Sequence, residues 1–253
     1  MIVTKTPLRI SFFGGGSDIP EFYNENEGMV ISTAINSYIY LAVNRCVASH
    51  LRVIYSELEQ TDSVDNIKHD RVREILKHFE LPSNIEIASF SDVPTKGTGL
   101  GSSSTFTVGL INALHRITSG RNIDHKELAE LASYIEIVRC GEPIGKQDQF
   151  AAAYGGLRQY RFNKHRTEVK PIYLGYMVHQ NLNKRLMFFN TGINRLASTV
   201  LTEQVEKLKS NINVDFTKVL VNMAEQSIVM LENGKLDDFG SLLNDAWEIK
   251  KKL

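Results

Sequence analysis

The chain has 253 residues, of which 42% are hydrophobic and 9% aromatic, enough to bury a substantial core in one large domain or two small ones. Its 29 basic residues equal its 29 acidic ones, so no net field favours nucleic acid or an anionic membrane, and any anion has to be bound by local geometry. No run approaches the roughly 20 apolar residues that a membrane span needs. Met1 leads straight into strand-like residues without a basic segment, an apolar stretch and a cleavage site, which implies a cytoplasmic protein. Cys46 and Cys140 lack the spacing of a metal knuckle or redox pair and are expected as buried thiols.

In chain order, residues 2–11, 28–46, 51–56 and 84–90 are rich in Ile, Val, Tyr and Thr and predict strands, with Gly14 to Gly16 interrupting the first pair. Ile67, Val72, Ile75, Leu76 and Phe79 follow helical spacing and predict a helix within 65–79 that ends before Pro82. From Ser102 the apolar positions Phe106, Leu110, Ile111, Leu114 and Ile117 predict a long helix stopped by Gly120. Asp124, with Glu127 three residues on, starts the next, whose stripe of Leu128, Leu131, Ile135 and Val138 runs to Gly141. Beyond Gly155 and Gly156, strands are expected at 157–162, 169–174 and 185–190, and helices at 196–209, 216–232 and 236–250. Strands and helices without regular alternation indicate an α+β fold.

Three constellations carry chemistry. In the segment from Pro94 to Ser104, Gly97, Gly99 and Gly101 alternate with Thr98 and Leu100 before Ser102, Ser103 and Ser104 open the long helix. Glycines let the backbone approach a phosphate, and the first N–H groups of a helix are unpaired at the positive end of its dipole. A Walker A loop would need Gly-Lys-Ser or Gly-Lys-Thr, which does not occur, and the GxGxG spacing is not a dinucleotide fingerprint. The second constellation, from Pro7 to Asp18, is a glycine turn ending in an acid; alone it reads as a tight turn capped by Ser17 or Asp18. The third joins Glu136 on a helix, at the edge of its apolar stripe, to Asp148 just beyond it; either is explained as readily by a boundary salt bridge or a helix cap.

The stretch from Pro94 to Ser104 resembles the central phosphate-binding motif of the GHMP kinases, P-x(3)-G-L-G-S-S, with one insertion between Pro94 and Gly99. The turn from Thr6 to Asp18, followed by Pro20 and Tyr23, is similar to the N-terminal motif of the same family and looks especially like its bacterial D-glycero-D-manno-heptose 7-phosphate kinase branch. The run from Gly145 to Gly156 resembles the segment that carries the catalytic aspartate in galactokinase and mevalonate kinase.

The resemblance implies a two-domain α+β fold: a ribosomal-protein-like ATP-binding domain over 1–165 and a ferredoxin-like C-terminal domain over 166–253. It implies ATP and Mg2+ as cofactors and a small-molecule sugar phosphate as partner, with no nucleic acid or membrane partner and self-association left open. Asp148 would accept the substrate proton beside Arg9 or Lys146. Residues 97–104 would hold the ATP phosphates, and Ser103 with Glu136 would hold the metal. Gly15, Gly16, Ser17, Asp18, Gly192 and Arg195 would face the sugar. A galactose- or fucose-type kinase is the alternative, as is a non-catalytic ATP- or sugar-binding protein. Family members usually carry a third, C-terminal glycine-rich motif. None occurs before Leu253, so the second domain is expected to be incomplete and to expose Leu242, Leu243 and Trp247.

Overall fold

The computed structural model describes residues 1–47, 49–81, 83–94, 98–189 and 197–252. It is a mixed α+β structure whose chain divides into two compact units. The first comprises Met1–Arg9, Ile35–Ile144 and Asp148–Tyr154; the second comprises Ile10–Ala34, Gly145–Gln147 and Gly155–Leu253. The strands β1 (Ile2–Phe13) and β2 (Gly28–Arg45), which pair with each other, contribute residues to both.

In the first unit, residues 39–45 of β2 pair antiparallel with β5 (Ile85–Ser91), which runs parallel to β3 (Leu51–Ile54). A short β4 (Leu58–Thr61) continues the order beyond β3. Alternation puts Leu41, Val43, Val53, Ile85 and Ile87 on a buried face, as period-2 side-chain geometry requires. The helices of this unit are α2 (Asp70–His78), α3 (Ser102–Ser119), α4 (His125–Ser133) and α5 (Gln147–Tyr154). Gly120 ends α3 in a left-handed conformation, and Asp124 caps α4 by accepting from the N–H groups of Lys126 and Glu127, both as the sequence predicts. The expected 65–79 helix begins later. Residues 64–66 form a separate 3-10 turn, and His69 caps α2 by accepting from the Val72 N–H.

In the second unit, residues 28–33 of β2 pair with β6 (Leu157–Phe162), which pairs in turn with β7 (Thr167–Pro171). A one-turn helix α1 (Pro20–Tyr23) precedes β2, and four helices follow β7: α6 (Tyr176–Arg185), α7 (Ala197–Lys209), α8 (Val214–Glu232) and α9 (Leu236–Lys250). Phe239 of α9 meets Phe12 and Phe13 edge-on at 5.4 Å each, anchoring a cluster with Met29, Ile31, Leu182 and Leu220.

Two expectations are corrected here. Residues 185–190 do not form the expected strand: α6 runs through Arg185, 186–189 have no regular structure, and 190 lies outside the described residues. The apolar repeat there is too short to separate strand from helix by period. Leu242 is buried at 8% exposure and Leu243 packs against the same cluster, because α9 turns that face onto α8 and β1; of the three residues expected to be exposed, only Trp247 is, at 58%.

Candidate active site

The glycine turn and the start of α3 are positioned from below by β1. Arg9 donates its main-chain N–H to the Leu100 carbonyl at 3.2 Å and its guanidinium Nη1 to the Gly99 carbonyl at 2.6 Å. The same guanidinium clasps Asp148 in a two-pronged pair, Nε to Oδ1 at 2.8 Å and Nη2 to Oδ2 at 2.7 Å. This planar fork fixes the carboxylate in direction as well as distance. Asp148 keeps 23% of its side chain exposed, against 12% for Arg9.

Gly101 completes the arrangement. It is the N-cap of α3 at φ 73°, and a Cβ there would lie 3.2 Å from Asp148 Oδ2 and 3.3 Å from Arg9 Cγ. No side chain caps the helix, and the Thr98 hydroxyl oxygen beside it is buried without a hydrogen-bond partner among the described residues. An uncapped helix start next to an orphaned hydroxyl fits an anion that accepts hydrogen bonds.

Of the expected cradle, Thr98 to Ser103 gather at this end of α3, with Ser103 exposed; Gly97 lies outside the described residues. Ser104 is corrected. It is buried, and its hydroxyl donates to Glu136 Oε2 at 2.7 Å, turned inward by one step of the helix.

Glu136 sits in a six-residue π-helical turn, Tyr134–Arg139, that continues α4. Ile135 and Glu136 in this widened turn are both fully buried, continuing the buried face of Ala132 and Ser133. Its carboxylate, 0% exposed, receives Arg71 Nε at 2.9 Å and Thr107 Oγ1 at 2.6 Å on one oxygen, and Ser104 Oγ and Gln149 Nε2 on the other. Arg71 also reaches Glu142 at 2.5 Å. Burial opposes the Arg71 charge, but the two carboxylates outweigh it and hold its pKa above the usual value. A carboxylate offers about four lone-pair sites, and four donors occupy them. The expectation that Glu136 ligates magnesium therefore does not fit the arrangement, whose donor set is that of a buried structural hub. Arg71, Thr107 and Gln149 were not singled out from the sequence, since nothing local in α2 or α5 signals a partner 65 or 13 residues away.

The second unit holds the other expected residues. Asp18, 2% exposed, accepts from the Gly16 N–H at 3.1 Å, the Gln147 N–H at 3.0 Å and Gln147 Nε2 at 3.3 Å. Its carboxylate lies so close to Gly145 that a Cβ there would come within 1.9 Å of Oδ2. Asp18 thereby fastens the three residues that lead into Asp148. Ser17 is fully buried and spends its hydroxyl on the carbonyls of Gly14 and Met29 and the Met29 N–H, so its side chain offers nothing to a sugar. Lys146 directs its ammonium over the Tyr23 ring at 5.0 Å, and Asp148 pairs with Arg9. Burial, followed by the charges of Asp18 and Glu21, pushes the Tyr23 phenol up to about 12. Gly192 and Arg195 lie outside the described residues.

A glycine turn feeding an uncapped helix, with an arginine-clasped aspartate against it, is an arrangement suited to holding a phosphate beside a carboxylate. Comparison with known proteins agrees. Residues 68–156 match the GHMP kinases N terminal domain. The chain is 30% identical over 268 residues to a D-glycero-alpha-D-manno-heptose 7-phosphate kinase of Campylobacter jejuni, covering 99% of this chain and 77% of that one. It is 28% identical to a Thermotoga maritima galactokinase over 60% of this chain and 43% of that one. The fold superposes on a D-glycero-D-manno-heptose 1-phosphate kinase from Bacteroides thetaiotaomicron with a TM-score of 0.83 at 23% identity, covering all of this chain and 80% of the other. The chain belongs to the GHMP kinases and is a sugar kinase of that family.

Proposed function

We propose that this kinase uses ATP to phosphorylate the anomeric hydroxyl of D-glycero-D-manno-heptose 7-phosphate, supplying nucleotide-heptose and surface-glycan synthesis. The observation that carries the reading is the Arg9–Asp148 pair set against Gly99 and Gly101. The substrate choice is supported by the 30% identity to a heptose 7-phosphate kinase across nearly the whole chain.

In this mechanism the main-chain N–H groups at the start of α3 and the orphaned Thr98 hydroxyl bind phosphate oxygens of ATP. Asp148, held in direction by Arg9, accepts the proton of the sugar hydroxyl as its oxygen bonds to the γ-phosphorus. The bond from that phosphorus to the bridging oxygen breaks, and ADP leaves with the electron pair. Asp18 keeps the 145–147 segment in place, and Gly15 and Gly16 are assigned to the sugar, with Gly192 and Arg195 assigned to its phosphate end. The ATP-binding role is assigned to 1–165 and the remainder of the substrate site to 166–253. Magnesium would supply charge neutralisation on the phosphates; Ser103 is exposed and would offer it a hydroxyl, whereas Glu136, with four donors already on its carboxylate, does not fit as a ligand.

A panel of sugars and sugar phosphates with ATP and magnesium, followed by ADP release, tests the substrate. Highest kcat/KM is expected for the heptose 7-phosphate, and a preference for galactose or fucose would replace it. Asp148→Asn is expected to bind ATP like the wild type and lose about 10²–10⁴-fold in kcat; a variant retaining most turnover would remove Asp148 as the base.

A further inference from the structure

Away from the glycine turn, three side chains of metal-ligating type converge where β2 ends and β3 begins. One ligand atom each from Cys46, His50 and Glu86 lie within 4.8 Å of one another, all three partly accessible. His50 Nε2 is 3.8 Å from Glu86 Oε1, and the Cys46 thiol is aimed at the loop itself, 4.0 Å from the His50 carbonyl. We propose that Cys46, His50 and Glu86 form a site for a zinc-class divalent cation that clips the β2–β3 connection to β5.

Main-chain hydrogen bonds bring the ligand-bearing residues together. The Cys46 N–H donates to the Asn84 carbonyl at 3.0 Å, and the Asn84 N–H donates to the His50 carbonyl at 3.1 Å, so one residue of the incoming strand ties both ends of the loop. Two residues on, Glu86 is held between two strands, paired with Asn44 of β2 and Arg52 of β3. Ligands borne on strands and on a tied loop need only side-chain rotation to bind. With metal–sulfur and metal–nitrogen distances of about 2.3 and 2.0 Å, a tetrahedral ion holds its ligand atoms about 3.3–3.6 Å apart. Rotamer adjustments of about 1 Å close the present spacing to that value.

The donor types select the ion. A thiolate, an imidazole and a carboxylate suit zinc and its cobalt surrogate, whereas magnesium and calcium prefer sets made of oxygen alone. Three protein ligands leave a fourth position for water.

The probe is cobalt(II), titrated into the whole chain under a phosphine reductant with magnesium and ATP present. One equivalent is expected to bind and to give a thiolate-to-cobalt charge-transfer band, which Cys46→Ser abolishes and Cys140→Ser leaves intact. His50→Ala and Glu86→Gln are each expected to weaken binding by at least the roughly 10–100-fold that outer-shell partners control. A readout without variants is protection: one equivalent of zinc slows alkylation of Cys46, mapped by peptide mass, and leaves Cys140 unaffected. No band in the wild type, a band that survives Cys46→Ser, unchanged affinity in His50→Ala or Glu86→Gln, or no protection of Cys46 would each overturn the site. None of these readouts depends on kinase turnover.

Discussion

Glu136→Ala removes an acceptor that four donors share, and its cost can be worked from the surroundings. Truncation leaves the Arg71 guanidinium with Glu142 alone and turns the Thr107 and Ser104 hydroxyls and the Gln149 amide toward a void. Removing one partner of a buried ion pair costs about 3–5 kcal/mol. At about 2–4 °C per kcal/mol for a chain of this size, the melting temperature falls by roughly 6–20 °C. Glu136→Gln costs less. Its amide nitrogen can face Ser104, which turns its hydroxyl to accept, and Gln149, which can flip to present an Oε1 that is buried without a partner. What stays lost is the charge opposite Arg71, about 1.5–3 kcal/mol. Thermal and urea unfolding of both variants, beside a magnesium titration of turnover, checks the reading. A hub predicts stability lost in the order alanine, then glutamine, with the magnesium requirement of the glutamine variant unchanged. A ligand predicts the reverse, so a Glu136→Ala melting temperature within about 2 °C of wild type, together with a raised magnesium requirement, would refute the hub.

Gly101→Ala forces a side chain into a left-handed position 3.2 Å from Asp148 Oδ2, at about 1–2 kcal/mol of backbone strain. Unfolding should show that loss, and ATP affinity and kcat should both fall as the turn and Asp148 move apart; unchanged kinetics would separate the turn from the chemistry. Tyr23 gives a pH signature. Its phenol titrates near 12 when folded and near 10.0 when free, so the stability it contributes is complete below pH 10 and is lost as pH rises through 12. That loss amounts to about 2–3 kcal/mol, and Tyr23→Phe should flatten the alkaline slope of unfolding free energy by this amount; an unaltered slope would show the phenol to be accessible.

The long helices and most strands were legible because their signals are local, whereas the short α1 and α6 were not read from the sequence. The spacing of Phe106, Leu110, Ile111 and Leu114 and the stop at Gly120 define α3 whatever packs on it, and the Asp124 cap does the same for α4. The glycine turn was equally legible, since only positive φ and close backbone approach account for glycines just ahead of a helix start. The strand expected at 185–190 was misread because a short apolar run carries no period of its own; α6 takes Arg185, and Leu186, Met187, Phe188 and Phe189 are exposed.

The sequence by itself determined where a glycine-rich turn meets a helix start and which family the chain resembles, because those features follow from residue type and spacing along a few turns of chain. Only the tertiary structure decided which partner each charge would meet. Arg9 reaches Asp148 across 139 residues and Arg71 reaches Glu136 across 65, while strand register brings Glu86 between Asn44 and Arg52. A buried charge is stable only with donors around it, and donors brought from other elements leave no periodic trace along the chain.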